Sequence, residues 1–449
     1  MKNILHKLFA SFWFRNGFFS ISQRFSVVLV GLLSYLLLVR SFSMEQIGVW
    51  TNFLIITSTF EVIKNGLLKN PLIKFLHDYP KKFSLPIQSS SLYLNLFVTI
   101  LFIGLLILFS DFLENLLNAP NLNILLKYYF VSAIFLIPFS HIEFLLQSRF
   151  KFEGLLKMYS IRQGTFLLLI VVALVQNYYT FTLLNLVFFQ AGGIFLASIV
   201  GFLTVKDALN FSLKISLPWW KRSWQYGKFT MATNLSSIIF RSTDQLMTSM
   251  FISVEAAALY NAAVRISNLI DLPSTSIAEI LFPKSVISNK SEGRKGTREL
   301  YEKAVAAILI FILPISIGIF IFPDTILSII AGKDYIAAAT ILQITIVYGL
   351  FLPFMKQSGM VLDSIGYAKT NFRINFFLTV FNIIINYYMI TTFGLLGAAY
   401  GSLSTYFVGF VLCQFILNKY IGVNTLRVVK IIPSLILTVR QKALVKFKT

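Results

Sequence analysis

One cysteine, Cys413, and three scattered histidines, His6, His77 and His141, are all this chain of 449 residues holds of the side chains most used for disulfides and metals. A lone thiol in an apolar stretch builds no disulfide framework, and the histidines lack ligand spacing, so neither a metal nor a cofactor is expected. No G-x-x-x-x-G-K-[ST] phosphate loop occurs, so the chain is not expected to power anything with ATP by itself. The first 17 residues are basic and aromatic without a small-residue cleavage site, so no cleavable signal peptide is read there. Charge is scarce too, at 13% of residues, where a soluble domain carries about 25%.

Apolar residues fill the space that charge leaves. They make up 57% of the chain, and mean hydropathy is +0.76. Runs of about 20 apolar residues suffice to cross the hydrocarbon of a bilayer. Twelve are placed, at 18–39, 47–68, 86–109, 125–146, 159–177, 181–204, 228–250, 257–282, 303–323, 336–361, 371–390 and 394–417. The runs are continuous rather than short and alternating, which predicts helices and not a barrel. The expected fold class is an all-α integral membrane protein of twelve transmembrane helices.

A net charge of +21 would suggest nucleic acid in a soluble chain. Here the loops account for it. With the N-terminus inside, 29 Lys and Arg fall on or beside the inner segments, and the outer loops hold Arg40 and Lys333. That asymmetry orients both termini toward the cytoplasm and makes nucleic acid an unneeded partner. Outer loops of about a dozen residues or fewer seldom hold a catalytic domain, so the chain is not expected to be an enzyme.

Half-way along, the pattern repeats. Ser43-Met44-Glu45 returns as Ser253-Val254-Glu255, Ile137-Pro138-Phe139 as Leu352-Pro353-Phe354, and Phe181–Leu184 as Phe393–Leu396, at offsets of 210, 215 and 212. A nearly constant offset points to a duplicated membrane unit. Six spans in each half make the two bundles enter the membrane in the same sense, so a pseudo-two-fold along the membrane normal is expected. The organisation predicted is a first bundle over 1–204, an interfacial connector over 205–227, a second bundle over 228–418 and a cytoplasmic tail over 419–449. Pro218-Trp219-Trp220-Lys221-Arg222 and Trp224 suggest headgroup depth for the connector. Val428, Ile431, Ile432, Leu435, Ile436 and Val439, with Lys430 and Arg440 nearby, predict an amphipathic helix lying on the inner leaflet.

Ionisable groups inside the spans single out candidate functional residues, because a charge at bilayer depth costs at least ~2.5 kcal/mol unless it faces water or a partner. They are Arg24, Glu61, Lys64, His141 and Glu143 in the first half, and Arg241, Asp244, Arg265, Asp271, Lys356 and Arg373 in the second. Glu61 with Lys64, and Arg241 with Asp244, stand three residues apart and can neutralise one another, which makes Glu61 and Asp244 coupling groups or structural ion pairs. Neither Arg24 nor Arg265 has an acidic residue three or four positions away. Both suit a cationic cavity, and guanidinium is the natural match for a diphosphate. Pro138 and Pro353 hold matching places in the repeat and are expected to act as hinges. Gly397-Ala398-Ala399-Tyr400-Gly401 reads as a close-packing G-x-x-x-G.

Asp244-Gln245-Leu246-Met247, Leu259-Tyr260-Asn261-Ala262-Ala263-Val264-Arg265-Ile266, Ile280-Leu281-Phe282-Pro283 and Phe393-Gly394-Leu395-Leu396-Gly397-Ala398-Ala399 look like the second half of polysaccharide-biosynthesis flippases. Leu38-Val39-Arg40-Ser41-Phe42-Ser43 and Gly48-Val49-Trp50 fit the first half. Over most of 18–418 the chain resembles the multidrug/oligosaccharidyl-lipid/polysaccharide exporter superfamily, particularly its O-antigen-type oligosaccharide flippases. The resemblance implies two six-helix bundles around a cavity that opens alternately to each side. It implies a substrate of undecaprenyl-diphosphate-linked oligosaccharide, moved from the inner to the outer leaflet of the bacterial cytoplasmic membrane for O-antigen, capsule or exopolysaccharide synthesis. It places Arg24, Lys64, Arg241 and Arg265 along that cavity. Membrane lipids, a polymerase and other glycan-assembly proteins are the implied partners, and the chain is expected to act as a monomer.

Three other readings stay open. An ion-coupled drug exporter of the same superfamily would favour acidic groups such as Asp244 and Glu61. A flippase for the lipid-linked peptidoglycan precursor would share the cationic cavity. A membrane enzyme of glycan assembly would need larger outer loops than these.

Overall fold

A computed structural model describes residues 12–176, 181–206, 212 and 216–434. Every element in it is helical: α1 Phe12–Ser41, α2 Met44–Lys64, α3 Asn70–Asp78, α4 Ser84–Leu116, α5 Leu122–Tyr128, α6 Phe130–Ser148, α7 Phe152–Val175, α8 Leu183–Val205, α9 Leu217–Phe251, α10 Val254–Leu269, α11 Leu272–Ser291, α12 Gly293–Ile321, α13 Pro323–Ile330, α14 Ala339–Gly349, α15 Leu352–Ser364, α16 Ala368–Phe393 and α17 Leu395–Ile421. Nine stretches among the described residues are long and apolar enough to cross a membrane. The expected spans at 47–68, 228–250 and 257–282 are not among them. Those three carry Glu61 and Lys64, Arg241 and Asp244, and Arg265 and Asp271, so their polarity has a local cause.

The serines of the first repeated motif, Ser43 and Ser253, each cap a helix. The Ser43 hydroxyl accepts from Gln46 N, and Gln46 Oε1 accepts from Ser43 N, closing a capping box on α2. Ser253 caps α10 in the same way by accepting from Ala256 N. The two prolines occupy unlike places. Pro138 lies inside α6, where it withholds a backbone donor, whereas Pro353 sits in the first turn of α15, where that donor would be unused anyway. As matching hinges they correspond in sequence only.

The chain folds as two compact units, Met1–Ile238 and Ile239–Thr449, so the division falls inside α9 rather than in the connector read at 205–227. In the first unit α7 packs along α1 and α8, α8 along α6, and α4 along α5 and α6. Its α2 does not run straight on. A π turn, Asn65–Lys69, joins it to α3. At that turn α9 comes in close: a Cβ on Gly66 would lie 2.5 Å from the Met231 Cα, one on Gly227 would run into the Leu67 carbonyl, and the Thr230 hydroxyl donates to Gly66 O. Of the tryptophans at the start of α9, Trp224 is exposed and Trp219 is packed into protein. Trp219 is buried against Phe75, Tyr79 and Phe83, with the Arg222 guanidinium over its ring. Residues 207–211 and 213–215 of the connector lie outside the described residues.

In the second unit α16 packs along α17, α11 along α12 and α15, and α14 along α10 and α17. Gly397 and Gly401 bring α17 against the Met389 carbonyl and Asn386 of α16, the close approach that G-x-x-x-G allows. One core cluster joins Tyr301, Val305, Phe354, Leu378, Cys413 and Leu417. The tail extends it: residues 425–434 are helical, Val428 is buried in that cluster, and Ile431 and Ile432 pack on it. Of the apolar face expected on the leaflet, Val428 is buried and Ile431 and Ile432 are partly buried. Leu435, Ile436, Val439 and Arg440 lie outside the described residues.

Candidate functional site

In the first unit the charged groups converge where α2, α6 and α7 meet. The Arg162 guanidinium of α7 donates to both oxygens of Glu61 on α2, at 2.7 and 3.2 Å, a bidentate pair with the planar fork geometry that favours Arg over Lys. Gly193 of α8 allows this, because a Cβ there would lie 2.5 Å from the Arg162 carbonyl. The Arg162 fork also lies over the Phe139 ring at 5.2 Å. Glu61 is therefore ion-paired, but with α7 rather than with Lys64.

Lys64 is turned inward instead. Only 2% exposed, its Nζ donates to Leu136 O at 3.4 Å and lies 5.1 Å from the Phe60 ring centroid. Glu143 on α6 is 7% exposed and accepts from Gln147 Nε2 at 3.0 Å. Glu61, Lys64, Leu136, Phe139, Ser140 and Glu143 line a void of about 10 Å³ with Asn65, the space of about one water. His141, two residues before Glu143, is buried, and its Nδ1 has no hydrogen-bond partner among the described residues.

Arg24, on α1, has an exposed side chain. It lies 17 residues from Ser41, about 25 Å along the helix at about 1.5 Å per residue.

In the second unit Asp244 is not paired with Arg241 as the spacing suggested. Its Oδ2 accepts from the Tyr260 hydroxyl at 2.6 Å and the Ser402 hydroxyl at 3.0 Å, and its Oδ1 accepts from Gln245 N at 3.0 Å. Arg241 is exposed on the same helix. Asn261 donates to Gln245 at 2.8 Å, and Arg265 Nε donates to Asn261 Oδ1 at 2.9 Å, so Arg265 is held by an amide of its own helix. Arg241 and Arg265 lie at similar depth, about 15 and 16 Å from the ends of α9 and α10 that face one turn. Asp271 takes Lys356 at 2.6 Å, and Lys356 also donates to Thr275. No group of three or more His, Cys, Asp or Glu able to hold a metal occurs among the described residues.

Sequence reasoning overlooked Arg162. Its signal was available, since it is a cation inside the expected span 159–177. The Tyr260 and Ser402 partners of Asp244 had none, because they lie 16 and 158 positions away.

The polysaccharide biosynthesis protein family matches residues 37–340. The chain is 22% identical over 200 residues to the probable low-salt glycan biosynthesis flippase Agl15 of Haloferax volcanii, covering 44% of this chain and 42% of that one. It is 26% identical over 247 residues to the probable flippase AglR of the same organism, covering 53% and 48%. The chain thus spans less than half the length of these relatives. Among solved structures, the lipid II flippase MurJ in an inward closed conformation is similar at a TM-score of 0.75, with 18% identity over 94% of this chain and 92% of that one. An inward-facing multidrug resistance MATE family transporter of the MOP superfamily is similar at 0.75, with 15% identity over 88% and 95%. Sharing one fold with both, this multi-pass membrane chain belongs to the polysaccharide biosynthesis protein family.

Proposed function

We propose that this protein moves an undecaprenyl-diphosphate-linked oligosaccharide from the inner to the outer leaflet of the bacterial cytoplasmic membrane, by alternating access, during cell-surface polysaccharide synthesis. The observation that carries this is the exposure of Arg241 about 15 Å from the end of α9, inside the span expected at 228–250. A guanidinium at such depth is costly against lipid, so it needs water or an anion beside it. Arg241 and, held at a fixed angle by Asn261, Arg265 are proposed to meet that anion, with Arg24 as a further candidate. A sugar diphosphate is too polar to cross hydrocarbon unaided, while its polyprenyl tail can stay in lipid. The protein then need supply only a wet cationic passage and no covalent step.

The names of the relatives support a glycan carrier. The fold alone does not separate this reading from drug export, since the MATE transporter shares it. Exposed arginines favour an anionic cargo over a cationic one. Twelve crossings in two bundles of six, with both termini cytoplasmic, complete the proposal. Support comes from the broken pairs α2 and α3, α5 and α6, α10 and α11, and α14 and α15, each of which makes one crossing when joined. A monomer passing its product to a polymerase fits this scheme.

The test is sealed proteoliposomes holding a fluorescent undecaprenyl-diphosphate sugar, with an impermeant quencher outside. Protein-dependent loss of protected fluorescence, abolished by R241A, is the expected result. Equal quenching with protein-free vesicles would overturn the proposal.

A further inference from the structure

Passage of an anionic lipid leaves Glu143 and Lys64 without a task, although both are nearly fully buried in the first unit. Burying two ionisable groups is expensive unless they are paired and fully hydrogen-bonded. Arg162 already neutralises Glu61. What remains is one ammonium with a long hydrogen bond and the Phe60 ring beside it, and one carboxylate held by the Gln147 amide and the Tyr159 hydroxyl, lining the same one-water void.

We propose that Glu143 and Lys64 together bind one exchangeable proton, and that its presence sets the π turn that α9 grips. With both ionised, the pair is neutral. One proton from water, taken by the Glu143 carboxylate, leaves a neutral acid beside an ammonium, a gain of one positive charge shared by the pair. The groups facing Glu143 are Glu61 and Lys64 on α2, Lys69 at the end of the π turn, Gln147 on its own helix, and Tyr159 and Arg162 on α7.

The coupling follows from connectivity. Lys64 is the last residue of α2, and Asn65 begins the π turn. An ionised Glu143 attracts the Lys64 ammonium toward α6; once the acid is neutral, that attraction is lost and the 3.4 Å bond to Leu136 O and the Phe60 ring on its own helix remain. A π turn is a strained insertion that reverts to α-helix by a one-residue shift, and such turns recur at functional sites. That shift would turn the Gly66 carbonyl away from Thr230 and move the Leu67 carbonyl against Gly227.

The test needs no transported substrate, so it stands apart from the flippase reading. Full-length protein in liposomes is titrated from pH 4 to 10 by infrared difference spectroscopy, and the carbonyl band of a protonated carboxylic acid is followed. Wild type should show a titrating band that is lost in E143Q and kept in E61Q; E143D, which preserves the acid, should retain it. With Cys413 replaced, spin labels at 58 and 232, both in the first unit, should show a pH-dependent distance that E143Q holds at its low-pH value. Absence of any titrating band, or its survival in E143Q, would overturn the proton site. A band that titrates while the distance stays constant would overturn the coupling.

Discussion

Arg241 and Arg162 show how similar side chains diverge in role once their neighbours differ. Arg241 is exposed, so its loss removes charge and little packing; Arg162 is locked to Glu61 and stacked on Phe139. R241A should therefore abolish flipping at near-normal protein abundance, while R241K restores it partly, because Lys lacks the bidentate fork. Vesicle quenching alongside immunoblots checks both. R162M should instead destabilise the protein, by about 2 kcal/mol, between the values for surface and buried pairs. The double variant E61Q/R162M should be less destabilised than R162M alone, since no charge is then left unmatched. Melting temperatures of the purified variants in one detergent measure this, and strictly additive losses would show that the pair contributes no coupling.

Helices here are defined as much by their interruptions as by their length. The π turn between α2 and α3 exists where two backbones meet with no room for a side chain. G227A adds a methyl group into the Leu67 carbonyl, so α9 must move off the turn. Its melting temperature should fall clearly below wild type, by more than that of G104A, where a Cβ meets nothing within 4 Å. T230V removes the donor to Gly66 O and should cost about 1 kcal/mol. The prolines predict a contrast as well. P138A gives α6 a backbone donor it lacked and should alter transport, whereas P353A changes a first turn whose donor is unused and should leave transport near wild type. Equal effects of the two substitutions would mean that they share a role after all.

At the level of the whole molecule the testable quantity is orientation. Basic residues concentrate on the segments read as inner, 29 against two, and this predicts cytoplasmic loops at 69–84 and 284–302. Lys290 is exposed and Cys413 is buried, so a cysteine at 290 should react with little background. An impermeant maleimide should label it in inverted vesicles and leave it unlabelled in intact cells. Labelling from outside would reverse the topology and, with it, the direction proposed for transport.

Hydropathy, a sum over many residues, made a helical membrane chain legible from the sequence, and short motifs made its family legible. Capping serines could be recognised too, because Ser43 with Gln46 is a local pattern. Partners across helices could not. Spacing suggested Glu61 with Lys64 and Arg241 with Asp244, since neighbours three apart share a helix face. The fold gave Glu61 to Arg162, and Asp244 to Tyr260 and Ser402, which stand 101, 16 and 158 positions away. In a low-dielectric interior the strongest available partner wins, whatever its distance along the chain. Lys64 bonds Leu136 O, 72 positions away, beside the void it lines, for the same reason. A side chain's helix and approximate depth are set by local pattern, but the direction it faces depends on which helices pack against it, and only the tertiary structure decides that.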